Sequence, residues 1–536
     1  MACLHRVLLI RTPRRLPTGD TADCQSALRR YSVRLSRGPA TILTGPRSTG
    51  LIPIHLMRPL LFASLLFVYG TTISMHAAAV PSWPQFRGPG GNAVAIDGAP
   101  PAFFGPQTNV VWTVPLPSGH SSPCVWDARI FLTAFENGKL ETLCIDRRDG
   151  RILWRRAASA DRIERTHSIG SPAASTPCTD GETVITYFGS CGLMAYDFQG
   201  ALLWQQPLPA PMVEFGTGTS PILAGDLVIL VTDGDEGSCL LAYHKRTGKL
   251  AWRTARPEFR RSFASPYVWK HDRVEELIVP GSIWLRSYDL KNGSERWSFT
   301  GTSRVANSTP CAGEGLLFAA SWNIGADPGD RITLETFDVF AHEHDTDKDG
   351  SFKKDEIPQG PLRDRFSQMD INKDGRITRE EWEIMRDMFA KAGNAVLALR
   401  AGGHGDITAT HLAWKSTRSL PYVCSPVCYD GRLYTVKSGG LLSCYDAKSG
   451  RAHYQDERLD APGDYYASLV AGGDKVIAIS QKGIATVLSS GDELKIVSRN
   501  DLGEPVMATP ALVGGRLYVR TAGHLFAFGN AGSRAD

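Results

Sequence analysis

The chain has 536 residues, 42% of them hydrophobic and 21% charged, with a formal net charge of +4. That supports a sizeable folded core and excludes a largely disordered chain. The positive balance is confined to the start of the sequence. Once nine Arg and two Asp of residues 1–56 and Arg58 are set aside, the rest carries about −4, so charge gives no case for a nucleic-acid partner.

Residues 57–79 have the anatomy of a secretory signal peptide. Arg58 precedes an apolar run from Leu60 to Tyr69, and small residues end at Ala77-Ala78-Ala79. The run is too short to span a bilayer, so no membrane span is expected in a mature chain beginning at Val80. Met57 then reads as the true start, and residues 1–56 as a mispredicted extension. Their Arg-rich, acid-poor composition also resembles an organelle transit peptide. Export, periplasmic or extracellular, is the expectation.

From residue 80 onward a repeat dominates. A Ser/Thr-Pro pair, a Gly/Asp turn and an alternating apolar run recur eight times. The copies start at Ser122, Thr176, Ser220, Ser265, Thr309, Ser425, Ser468 and Thr509, and only the copy at Ser468 lacks the Pro. A second signature follows most copies: apolar residues, an Asp or its neighbour, a Gly turn, then an aromatic. Trp154, Trp204, Trp252, Trp297, Trp414 and Tyr454 fill the aromatic slot. The last copy stops at Phe526-Ala527-Phe528, while Val110-Val111-Trp112 carries the same strand ending ahead of the first copy. Spacings of 41–54 residues, apart from one gap, predict eight four-stranded blades of a β-propeller. The N-terminal strand would complete the last blade, which leaves no open sheet edge.

These blades resemble pyrroloquinoline-quinone (PQQ)-type repeats, whose pattern is Leu-x-Ala-Leu-Asp-x-x-Thr-Gly-x-x-x-Trp. His244-Lys245-Arg246-Thr247-Gly248-Lys249-Leu250-Ala251-Trp252 is a close copy of its second half. The opening Trp83-Pro84-Gln85-Phe86-Arg87-Gly88-Pro89 is similar to the start of exported bacterial PQQ-like propellers. The resemblance spans about residues 83–529, minus one insertion. It implies a fold more firmly than a function. A BamB-like scaffold role implies a protein or glycan partner on the propeller face. A PQQ-dependent quinoprotein oxidoreductase is the alternative. Such enzymes use a disulfide between adjacent cysteines, a facing Trp and an Asp base beside calcium; here no Cys-Cys pair exists, and the nearest spacing is Cys424 and Cys428. No catalytic residue is singled out.

The long gap lies between Pro310 and Pro426, after the second strand of blade five (316–321) and before its third (395–399). Two EF-hand loops fill it. The first runs from Asp345 to Glu356. Asp345, Asp347 and Asp349 stand at positions 1, 3 and 5, Gly350 at the sharp turn, Ser351 at position 7 through its carbonyl, and Glu356 at position 12. Six to eight oxygens in a tight wrap suit calcium. Lys353 at position 9 cannot ligate, which predicts the weaker site. The second loop offers Asp370, Asn372, Asp374, the Arg376 carbonyl and Glu381, with Thr378 at position 9. Two calcium sites are therefore expected. Phe352 and Ile377, both at position 8, should meet in a short β contact. Apolar spacing predicts a helix ahead of loop one carrying Leu334, Phe337, Phe340 and Ala341. A second, starting at Pro361, should carry Leu362, Phe366 and Met369, and a third Trp382, Met385, Met388 and Phe389. Pro358 cuts the first exiting helix short, so the pair should be compact and calcium a standing brace.

The expected fold class is thus mainly β: an eight-bladed propeller closed by an N-terminal strand, with a small α-helical EF-hand pair in blade five. The expected segments are an extension at 1–56, a signal at 57–79, blades one to five (first part) at 80–332, the EF-hand pair at 333–392, and the remainder at 393–530. Cys124, Cys178, Cys311, Cys144 and Cys444 occupy repeat slots and read as small buried residues, with one disulfide left open among the rest. His342 and His344 diverge on a helix and suggest surface, not a transition-metal site. His120 and His167 lie near strand entries on a propeller face, where either could line a pocket, and read first as solvated loop residues.

Overall fold

The computed structural model describes residues 80–213, 215–327 and 331–529; the expected extension and signal peptide lie outside them. Eight antiparallel sheets follow one another along the chain, each with its first strand innermost. Blade 1 shows the pattern, with Cys124–Trp126, Arg129–Glu136, Lys139–Asp146 and Ile152–Ala158 running from the inner to the outer strand. In blade 8 the outer strand is Val110–Pro115, which pairs antiparallel with His524–Phe528. The N-terminal strand therefore seals the ring as the repeat predicts.

The two sequence signatures turn out to be the joints between blades. Each Ser/Thr of the first signature donates its backbone N–H to the hydroxyl of the next. The bonds run from Ser122 through Thr176, Ser220, Ser265, Thr309, Ser425, Ser468 and Thr509, then back to Ser122, at 2.9–3.2 Å. This closed circle explains why the hydroxyl is kept at Ser468 although the Pro is not. Buried hydrogen bonds of this kind contribute about 1 kcal/mol each, and an orphaned donor costs more.

The second signature works on the outer side. Each Trp indole N–H donates to a carbonyl in the next blade's turn: Trp112 to Arg147, Trp154 to Phe198, Trp204 to Lys245, Trp252 to Leu290 and Trp414 to Ala447. The ring of each Trp lies flat against that turn's Gly. A Cβ on Gly248 would stand 2.7 Å from Trp204, and one on Gly293 would stand 2.4 Å from Trp252. Trp297 is the exception. It donates to the buried Glu276 of its own blade, because the blade-5 turn is enlarged and adds Gly405–Asp406 as a parallel strand beside it.

Residues 82–99 plug the channel. Ser82–Trp83 adds to the inner strand of blade 1. Arg87, wholly buried, donates to the Pro426 carbonyl at 2.5 Å in blade 6. Asn92 Oδ1 accepts from Tyr267 and from the Ala312 backbone, in blades 4 and 5. Val94 bridges to Ala471 in blade 7. The opening motif thus touches most of the ring and closes one end of its axis. No helix among the described residues is long and apolar enough to cross a membrane.

The insertion leaves blade 5 between Leu316–Ser321 and Ala395–Arg400. It contains α1 (Phe337–His344), α2 (Pro361–Asp364), α3 (Phe366–Met369) and α4 (Arg379–Lys391). Leu334 is buried ahead of α1, not within it. The helix expected from Pro361 is broken at Arg365 into α2 and α3. A turn alone follows loop one, in keeping with Pro358. Phe337, Phe352, Phe366, Met369, Trp382 and Phe389 form a core of their own with Ile283 of blade 4.

Candidate calcium centre and the cavity beneath it

Both loops have the backbone that a 12-residue calcium wrap needs. Gly350 and Gly375 at position 6 have φ of 80° and 88°, and Lys348 and Lys373 at position 4 are left-handed as well. Phe352 and Ile377 pair across a short antiparallel ribbon, Ser351–Lys353 against Arg376–Thr378, and both are fully buried. Trp382 lies beneath, 5.3 Å from Phe352 and 4.5 Å from Phe340 between ring centres.

The second loop is the more enclosed. Asp370 is 5% exposed and Glu381 6%. Asp370 Oδ2 accepts from Gly375 N at 3.1 Å, while its Oδ1 is buried with no hydrogen-bond partner. Glu381 folds back over the loop and accepts from the backbone of Ile371 and Thr378 at 2.8 Å. With Thr378 it completes a reciprocal cap on α4. An orphaned carboxylate oxygen in a buried site is costly unless a cation or donor meets it. The donor set, all hard oxygen, suits calcium.

The first loop is open. Ligand atoms of Asp345, Asp347 and Asp349 lie within 4.8 Å of one another. Two cations lean on them. Lys353 Nζ pairs with Asp347 and stands 3.6 Å from Asp349. Arg376, from position 7 of the second loop, pairs with Asp349 and donates to Ser351 Oγ at 2.8 Å. The hydrogen bond from Arg376 holds the Asp349 carboxyl well below its usual range. The sequence reading gave Arg376 a backbone role only. Its side chain crosses the ribbon because Lys353 and Arg376 are direct cross-strand partners, and the loop-one carboxylates relieve that like-charge contact.

Below α3 and α4 lies a cavity of about 670 Å³ on the ring axis. The Ser/Thr circle and the loops entering each blade line it, with Phe86 of the plug; Gln368, Met385 and Met388 of the insertion complete the wall. His120 lines it too, contrary to the expectation of a solvated residue, and burial beside Arg520 lowers its pKa to about 4. His167 is exposed and packs on Phe215 at 4.8 Å. His344 stacks on Phe340 at 4.3 Å, away from exposed His342. The nine described cysteines are all free and buried. Among the described residues neither a cysteine nor a tryptophan lines the cavity, so the sandwich that a quinone cofactor would take by resemblance has no counterpart among them.

A family model for the outer membrane protein assembly factor BamB matches residues 105–213 and 141–324, and an EF-hand model matches residues 362–385. The chain is an eight-bladed β-propeller whose repeats are similar to that family over residues 105–324, with an insertion similar to an EF-hand. Among solved structures, quinohemoprotein alcohol dehydrogenase from Comamonas testosteroni is similar at 12% identity and a TM-score of 0.51, covering 84% of this chain and 81% of that one. The designed protein Ika8 matches at 8% identity and a TM-score of 0.50, covering 78% and 99%. BamB from Moraxella catarrhalis gives 13% identity and a TM-score of 0.49, covering 78% and 98%. At these identities the likeness is one of fold. No curated protein matches the chain.

Proposed function

We propose that this PQQ-like propeller is an exported calcium-binding module, and that calcium braces the EF-hand pair over one end of the ring axis. The observation that carries the reading is the enclosed second loop, where the buried Asp370 Oδ1 lacks a partner and Glu381 closes the wrap. Asp370, Asn372, Asp374, the Arg376 carbonyl and Glu381 would hold one ion. Asp345, Asp347, Asp349, the Ser351 carbonyl and Glu356 would hold a second, weaker one. Calorimetry on the purified protein should show two calcium ions per chain. Asp370→Ala should weaken the tighter site and leave the other, and Asp345→Ala the reverse. Absence of calcium heat would sink the reading.

The broad loop face of the ring suits a protein or glycan partner, and the family model's description, an outer membrane assembly factor, supports a binding or scaffold role. Export rests on the signal-like segment 57–79. N-terminal sequencing of the protein from its native compartment should begin at Val80; retention of residues 57–79 in a cytoplasmic fraction would refute it.

A further inference from the structure

A second, smaller pocket of about 160 Å³ lies beside the axial cavity, where the ring shuts between blade 8 and blade 1. Ser118 and His120 come from the loop entering blade 1, Ala508 from the loop entering blade 8, and Gln481 from a turn of blade 7. Ala522 and Arg520, the last residue of the blade-8 strand Arg516–Arg520, complete the wall. Among the described residues no acidic one lines this pocket.

Arg520 is 1% exposed, and its hydrogen bonds cross the seam. Nη1 donates to Ser121 Oγ at 2.7 Å and to the Thr133 carbonyl at 2.8 Å, and Nη2 donates to the Pro117 carbonyl at 3.1 Å. Gly119 lets the loop lie on the guanidinium, since a Cβ there would stand 2.4 Å from Nη2. The buried Nε has no partner. All these acceptors are neutral. Burial lowers the Arg520 pKa to about 9, and no acidic group acts against it. A buried charge without a counter-ion is costly. Arg256 at the end of blade 3 shows the ordinary solution: it is equally buried, but it meets both oxygens of Asp233 at 2.9 and 2.8 Å. Glu504, next in sequence to the pocket's Pro505, cannot play that part, because Thr521, Gly523 and His524 already donate to it.

The volume is below the roughly 300–1,000 Å³ of drug-sized sites and equals about five water molecules, which suits an ion of a few atoms. Ser118 and Ala522 are exposed, which leaves a way in from solvent. We propose that this pocket holds one small monovalent anion, of chloride or formate size, as the counter-ion of Arg520, and that the anion thereby strengthens the joint between blade 8 and blade 1.

The test is chloride-35 NMR and thermal unfolding of the purified protein, with sodium chloride exchanged for sodium gluconate at constant ionic strength and constant calcium. The expected result is excess chloride linewidth that formate competes away, and an unfolding midpoint about 1–4 °C higher at saturating chloride. Arg520→Met should abolish both responses. Gln481→Glu, which sets a carboxylate in the same wall, should also abolish them while holding the midpoint in gluconate at or above that of the unmodified protein. If the Arg520→Met protein does not fold, Gln481→Glu decides alone. Linewidth and midpoint indifferent to chloride, or a chloride response that survives in either variant, overturns the site.

Discussion

The two EF-hand loops share a motif and a backbone but not a setting. Loop two is closed in by α4 and the ring, with its first and last carboxylates almost fully buried. Loop one faces solvent, and two basic side chains already pair with Asp347 and Asp349. A calcium ion entering loop two meets an oxygen that lacks a partner; one entering loop one must displace Lys353 and Arg376. Ligand identity fixes which ion can bind, whereas the cations and burial around the ligands set how tightly.

The comparison can be broken at its shared support. Trp382→Ala removes a fully buried ring lying under both loops, so calcium binding at both should fail together. The insertion should lose about 3–5 kcal/mol of stability, read by thermal unfolding, while the ring transition stays. Asp370→Ala sharpens the contrast. Loop two should weaken by about 100-fold, the upper end of the range seen for groups that merely support ligands, with loop one unchanged in calorimetry. Replacing both cations, Arg376→Ala with Lys353→Gln, should level the difference and tighten loop one by about tenfold. Each exposed pair is worth about 0.2–1 kcal/mol. Lys353→Gln alone should give the smallest gain, about 1.5- to fivefold in calcium affinity, and should shrink further in high salt.

Much of the fold was legible because the repeat residues are the joints themselves. A hydroxyl at each blade entry is a contact that every blade makes, and a Trp against the next blade's Gly turn is one that five of them make, so both recur and can be counted. The wrap of the two loops was legible for a related reason: each candidate ligand set sits within 12 consecutive residues, with a left-handed Gly at position 6. What escaped the sequence depends on meetings between distant segments. Arg376 reaches Asp349 across a ribbon whose register only the fold defines. His120 looks like a loop residue until Arg520, from blade 8, is placed beside it. The Trp83–Pro89 motif matched a family pattern, but its task as a plug rests on Arg87 meeting Pro426, 339 residues away. The cavity, assembled from all these segments, has no motif of its own.

The circle of hydroxyls carries a consequence for the order of assembly. Its last bond joins Thr509 to Ser122, 387 residues apart, and the strand beside it pairs Val110 with Phe528. Neither contact can form until nearly the whole chain has been synthesised. Such non-local closure slows folding, so the first blade must wait with its partner surface uncovered while the other blades are made. The protein is thus most vulnerable to misassembly just before the ring shuts, and least once it has.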